Sequence, residues 1–354
     1  MQISTATRRV YMSILTIMLV FLTTVATTFA WVGILNYTDT SNFELNLQTE
    51  NTNKYRLTIS ATEDGEYSDS VDVYDIKKQI LINMGWSDTN LTTPEYIDNA
   101  FNRIGLFSVT TSDLKDFKEL NHENKKLEDT KSYFKFDLYF KIELTDTKDE
   151  IEDDINLNSG LMLSTIESPL VGTKGGASLA NGITFPSGSI MEQAGFGHFD
   201  TGTYLNIDSS YATRLAFEVY SPKEVTEGYV DTDLPVVTKI FQGGTQNPYY
   251  NTSTGLYSFG GILPEECNLA YQEYKKKYNL GNDFRIPDEI LNRGDLEITE
   301  ENSVLLTEDY KFGINNGVSN KLKMTVYFWY EGWDADCFDA LAGQSVTINL
   351  VFKA

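Results

Sequence analysis

The residues that could do chemistry in this chain are few and scattered. Two histidines, His122 and His198, stand in no catalytic spacing. There is no His-Glu-x-x-His helix to hold zinc, no Gly-x-Ser-x-Gly turn to present a nucleophile, and no Walker-type phosphate loop. Gly195-Phe196-Gly197-His198 is too short for a dinucleotide fingerprint and reads as a tight turn. Carboxylates are everywhere, with 51 Asp and Glu, so no one pair points to glycoside hydrolysis. A catalytic reading needs a convergent site, and none is visible. The expectation is that the chain is not an enzyme, with a secreted hydrolase as a minor alternative. Asp64-Gly65-Glu66 with Asp69 and Asp72, and Glu150, Glu152, Asp153 and Asp154, gather oxygen ligands without the spacing of a calcium loop. They read as solvated loops, with weak calcium binding as the sharper alternative; no other cofactor is expected. Cys267 and Cys337 are too few for a cysteine zinc site. An oxidising compartment would permit one disulfide between them, and two isolated thiols are the bland reading.

One segment is unusual: Glu331-Gly332-Trp333-Asp334-Ala335-Asp336-Cys337-Phe338-Asp339. It links the last two strand-like stretches and sets Trp333 among carboxylates. A buried Trp beside a turn, with Asp334 or Asp336 accepting from backbone N–H groups, would lock this crossover. The functional reading is a sugar site built on Trp333. Tyr249-Tyr250, in a loop with Asn, Pro and Gly, fits that reading as well.

The elements that must position these residues read mainly as strands. Residues 55–60, 133–144, 214–220, 236–241, 322–330 and 345–353 alternate apolar and polar side chains. In 133–144, Phe134, Phe136, Leu138, Phe140, Ile142 and Leu144 share one face and charged residues take the other. That pattern predicts sheet strands with one core face and one wet face. The fold expectation is a mainly β protein, an antiparallel, jelly-roll-like β-sandwich with a small helical insertion near residues 70–130. Helical spacing covers 75–84. Thr93-Pro94-Glu95 starts a second helix. Residues 264–280, with Gly281 as the stop, form a third that aligns Tyr271, Tyr274 and Tyr278. That tyrosine stripe reads as packing first and as a ligand platform second. Residues 172–188, rich in Gly, Ser and Ala, read as a flexible loop.

The beginning of the chain is an export address. Arg8-Arg9 precedes an uncharged run from Val10 to Leu35. Thr28 and Ala30 suit the small-residue pockets of a signal peptidase, which places cleavage between Ala30 and Trp31. The run also exceeds the roughly 20 residues of a membrane span, so an uncleaved anchor is the alternative. The expected organisation is residues 1–30 as signal or anchor helix, then residues 31–354 as one extracellular domain tied to the membrane only through its N-terminal segment. The formal charge of −23 repels nucleic acid and excludes it as a partner.

Two ends of the chain resemble known sequences. Val326 to Cys337, followed by Gly343 to Phe352, resembles the ending of uncharacterised surface proteins of Gram-positive bacteria that carry an EGxDxDC element before a last strand. Residues 133–142 and 212–218 resemble their internal strands. Thr28-Phe29-Ala30-Trp31 and Asn42 to Leu47 are similar to the start of camelysin/TasA-type exported proteins. That resemblance implies cleavage by a dedicated signal peptidase. It also implies β-sandwich subunits that build extracellular fibres or biofilm matrix by lending an N-terminal strand to a neighbour. The functional expectation is therefore a cell-surface structural or interaction protein, with residues 31–47 as the donated strand and copies of itself or other surface proteins as partners. A surface binding module for carbohydrate or a host protein is the alternative.

Overall fold

The computed structural model describes residues 38–39, 44–49, 55–121, 126–144, 155–156, 161–166, 168–282, 284–305, 312–315 and 318–353. The apolar leader, the Ala30–Trp31 position, His122 and the acidic residues 150–154 lie outside them. No helix among the described residues is long and apolar enough to cross a membrane.

The protein is mainly β, with several sheets. The framework elements are, in chain order, β1 (Glu44–Thr49), β2 (Tyr55–Ser60), α1 (Val73–Asn83), α2 (Pro94–Phe101), β3 (Ser108–Thr110), β4 (Lys118–Asn121), β5 (Lys126–Asp129), β6 (Phe134–Leu144), β7 (Leu170–Gly172), β8 (Lys174–Ser178), β9 (Tyr204–Asp208), β10 (Thr213–Tyr220), β11 (Pro235–Gln242), α3 (Leu269–Lys277), β12 (Leu296–Glu297), β13 (Val318–Glu331) and β14 (Val346–Lys353). β13 is the axis of the large sheet. β10 and then β11 and β12 lie on one side; β6 and then β2 lie on the other. At its C-terminal end β13 turns to a new neighbour, β3, which leads to β4 and β5. The smaller sheet centres on β14, with β1 along one edge and β7 along the other.

The alternating pattern explains how these sheets bury their apolar faces. Phe134, Phe136, Leu138, Phe140 and Ile142 of β6, Leu322 to Phe328 at alternate positions of β13, and Leu215, Phe217 and Val219 of β10 are buried in one cluster with Val346, Ile348, Leu350 and Phe352 of β14. The Phe352 ring lies 5.0 Å from Phe140 and 6.3 Å from Phe217.

The sheets are mixed rather than purely antiparallel. β1 runs parallel to β14, β3 parallel to β13, and β12 parallel to β11. Parallel neighbours need long connections, and local hairpin reasoning sees only short ones; β1 and β14 are joined through nearly the whole chain.

Helices α1 and α2 lie where the insertion is expected. The Thr93 hydroxyl caps α2, with Pro94 in its first turn. α1 is docked through Gln79, whose carboxamide donates to Asp137 O at 3.1 Å and accepts from Asp137 N at 2.8 Å. A side chain thereby continues the ladder where β2 stops pairing with β6.

Three local expectations change. Residues 172–188 are ordered: β8 pairs with β9 along five residues. Its glycines permit close approach, since a Cβ on Gly175 would stand 2.0 Å from Ala340 O. The third helix begins at Leu269, because Pro264 to Cys267 closes a separate turn and Asn268 is the cap. It ends at Lys277, and Asn279 rather than Gly281 is the stop. Asn279 takes the left-handed conformation, φ 48°, and the Leu280 N–H returns to Lys275 O. Lastly, part of the second face of β13 is dry. Tyr327 and Trp329 are buried under Val109, Leu114 and Phe117, and Phe117 meets Trp329 edge-on at 5.5 Å. The chain after α2 covers what alternation alone assigns to water.

Candidate functional site

The unusual crossover after β13 is where buried charge collects. Glu331, Asp334 and Asp336 are fully buried, as is Arg214 on β10; Asp295 is nearly so. Strand pairing brings them together, because Arg214 sits opposite Trp329 in the β10–β13 register. Arg214 Nε donates to Asp295 Oδ2 at 2.5 Å and its Nη1 donates to Thr213 O at 2.9 Å. Nη1 also lies 2.8 Å from Asp334 Oδ2, an ion pair without hydrogen-bond alignment. Arg293 forks onto Asp295, at 2.7 Å from Nε to Oδ1 and 2.7 Å from Nη2 to Oδ2. Its Nη2 also pairs with Glu331 at 2.8 Å. The Trp329 indole N–H donates to Glu331 Oε2 at 3.1 Å.

The backbone of the crossover is held by these same groups. Asp334 Oδ1 accepts from Asp336 N at 2.8 Å, and Asp336 Oδ1 accepts from Phe259 N at 2.8 Å. Gly332 N donates to Val109 O, and Ala335 N to Gly261 O, both at 2.8 Å. The amide of Asn268, the α3 cap, donates to Trp333 O at 2.7 Å. The helix start and the loop are therefore one unit.

Burial works against the charge of Arg214, but Asp334, Asp295 and Glu331 more than offset it and its pKa is raised. For Asp295, burial is outweighed by Arg214 and Arg293, which hold its carboxyl below the usual range. Asp336 has no cation in contact. Burial first, and then the charge of Asp334, push its carboxyl well above the usual range. The folded state thus keeps a proton on Asp336 that the unfolded chain releases near the ordinary Asp value. The associated stability is full below that ordinary value and is lost as pH rises through the raised one. Asp336→Asn keeps an acceptor for Phe259 N and needs no proton. We expect its stability relative to wild type to improve with pH above about 4, by up to ~1.4 kcal/mol per pH unit within the window. Urea unfolding at pH 4, 5.5 and 7 measures it; a pH-independent difference between the two proteins refutes it.

Beside this knot lies a cavity of about 230 Å³. β3 supplies Ser108, Val109 and Thr110, α3 supplies Ala270, Tyr271 and Tyr274, and the crossover supplies Gly332, Trp333 and Cys337. Phe107, Lys118 and Glu119 also line it. Phe284 lies 5.0 Å from the Trp333 ring and stacks on Tyr271 at 5.6 Å. Trp333 and Thr110 are each only 5% exposed, yet Trp333 Nε1 and Thr110 Oγ1 have no hydrogen-bond partner among the described residues. Two members of the tyrosine stripe, Tyr271 and Tyr274, therefore face a void as well as packing. Among the described lining residues the carboxylate is Glu119, which accepts from the Thr130 hydroxyl at 3.0 Å.

The other residues singled out from the sequence lie elsewhere. Cys267 and Cys337 are free and buried, so they form no disulfide. Cys337 Sγ contacts Ser108 Oγ at 3.2 Å, whereas Cys267 sits against Ser189 and Ile190. Burial first pushes the Cys337 thiol up to about 12, which leaves it neutral and a poor nucleophile. His198 bonds Thr184 at 2.8 Å and Asp200 at 3.1 Å, but its side chain is 55% exposed and it lines neither this cavity nor the one beside Asp295. Asp69 pairs with Arg56, and Asp72 caps α1. No group of three metal-ligating side chains occurs among the described residues. Tyr250 is exposed and tilted against Tyr257, away from the cavity lining. Arg214, Arg293 and Asp295 carry no sequence signal, because their roles arise from pairing across strands far apart in the chain. No known protein family, characterised protein or solved structure matches the chain.

Proposed function

We propose that this is an exported cell-surface binding module, built as a two-sheet β-sandwich, whose ligand enters the cavity beside Trp333. The observation that carries the proposal is the cavity of about 230 Å³ lined by Trp333, Tyr271, Tyr274 and Phe284. Concave voids lined mainly by aromatic and apolar side chains with a few polar groups are where small molecules bind. The cationic Arg8-Arg9 followed by an uncharged run supports export. The ring contacts between Phe352 and Phe140 support the sandwich.

The test screens the purified protein and the variant Ala270→Leu, which fills the cavity from α3, against small ring compounds and glycans by thermal shift. Cell fractionation follows the product in parallel. The expected result is a ligand class that raises the melting temperature of the wild type and not of the variant, with the product at the cell surface. Ligands that stabilise both proteins equally, or a product confined to the cytosol, refute the proposal.

Assembly by strand addition is the second reading, and β1 favours it. β1 lies along one edge of β14, where it is held by parallel pairing from Glu44 to Thr49 and by the buried Leu45 and Leu47. The strand seated there is the one a neighbouring copy would have to supply. Size-exclusion chromatography of the same samples separates the readings: polymers favour exchange, and a monomer at high concentration removes it.

A further inference from the structure

We infer that the loop from Glu224 to Val236 docks on a basic protein surface, where its apolar side chains are covered and its carboxylates meet lysines or arginines. The loop shares no residue with the cavity beside Trp333, so this goes beyond the binding-module reading and is independent of it. Eleven large apolar side chains are exposed among the described residues, and four of them, Val225, Val230, Leu234 and Val236, lie in this one stretch. Val230 is 59% exposed and Leu234 77%. Single exposed apolar residues are ordinary, but a concentration of them marks an interaction surface. A turn closed by Asp233 N donating to Val230 O at 3.0 Å brings Val230 beside Leu234. Pro235 holds Leu234 extended, so Leu234 and Val236 take the same side.

The loop is built, and its polar groups do the building. Lys223 and Glu224 pair with Lys321 and Asn320 of β13. Tyr229 Oη donates to Ser221 O at 2.9 Å and accepts from Lys323 N at 3.1 Å, and Tyr229 N donates to Glu63 at 3.1 Å. Lys223 Nζ donates to Asp233 Oδ2 at 2.5 Å and to Gly228 O at 3.1 Å. The inward side chains are thus Tyr229, Lys223 and Asp233, while valines and a leucine point to water. A surface already ordered loses little entropy when it docks.

Charge selects the occupant. Lys223 is the one cation between Ser221 and Val236, and Asp233 holds it. Glu224, Glu227 and Asp231 are exposed, stand within two residues of Val225 or Val230, and form no ion pair among the described residues. With a formal charge of −23, the protein repels a second copy of this loop as it repels nucleic acid and anionic lipid. A cationic protein surface with an apolar centre is complementary to it.

The test titrates the purified protein by calorimetry with a short peptide of alternating lysine and leucine, with oligolysine of equal charge, and with a peptide of alternating glutamate and leucine. The lysine–leucine peptide is expected to bind most tightly, and several-fold more weakly when NaCl is raised from about 0.05 to 0.3 M. Leu234→Ser should weaken it about tenfold, the worth of one buried leucine, and Asp231→Lys several-fold. Both positions are exposed, so the fold is kept. Ile166→Ser, at an exposed apolar residue elsewhere, should change nothing. Oligolysine binding as tightly, or affinity that the two loop variants leave unchanged, overturns the proposal, as does failure of the lysine–leucine peptide to bind. Tighter binding of the glutamate–leucine peptide overturns the charge rule. Self-association that Leu234→Ser abolishes makes a second copy the occupant and overturns it too.

Discussion

Arg214→Met is expected to lose about 3–5 kcal/mol of folding stability at neutral pH. The arginine is fully buried and holds Asp295 and Asp334, and it shares Asp295 with Arg293. Methionine fills much of its volume but leaves the buried carboxyl groups of Asp295, Asp334 and Glu331 beside Arg293 without their second guanidinium. Removing one partner from a buried ionic group costs far more than the group contributes as a whole, because the remaining charges stay out of water. Arg214→Lys should recover little. One ammonium cannot satisfy Asp295, Asp334 and Thr213 O from the positions that Nε and Nη1 occupy. Urea denaturation of both variants gives the numbers. A loss below about 1 kcal/mol for Arg214→Met sinks the claim that the knot depends on this side chain.

Phe352→Ala is expected to cost a similar amount, about 3–5 kcal/mol, as a large-to-small change in a closed core. Phe352 belongs to the smaller sheet, whereas Phe140 and Phe217, its ring neighbours, belong to the larger. Phe140→Ala should cost about as much, and the double variant clearly less than the sum, because the two cavities merge. Strict additivity in urea unfolding rules out a core shared by the two sheets. The sandwich reading falls with it.

The strands were readable because alternation is a local property. The stretch 55–60 is β2, and 214–220 falls short of β10 by one residue at its start. The start of α2 follows from the Thr93 hydroxyl, which accepts from a first-turn N–H, a cue within four residues; the caps at Asp72 and Asn268 lie three residues before and four residues after the starts expected at 75 and 264. Trp333, Asp334 and Asp336 drew notice because an aromatic among carboxylates in a short crossover is rare in any sequence. Periodicity gave no warning that Tyr327 and Trp329 would be covered from outside. That cover is Val109, Leu114 and Phe117, from a part of the chain some two hundred residues away, and its placement depends on the parallel pairing of β3 with β13.

The sequence alone determined the β character, the start of α2, the acidic composition and the export-like leader, since each is written in the composition or spacing of neighbouring residues. Only the tertiary structure decided that the charges of the crossover are buried and paired with Arg214 and Arg293. Only it decided that Trp333 and Tyr271 line one cavity, and that the two cysteines stay apart. Those properties depend on which distant segments share space, and burial is what gives a charge or an unpaired N–H its energetic weight.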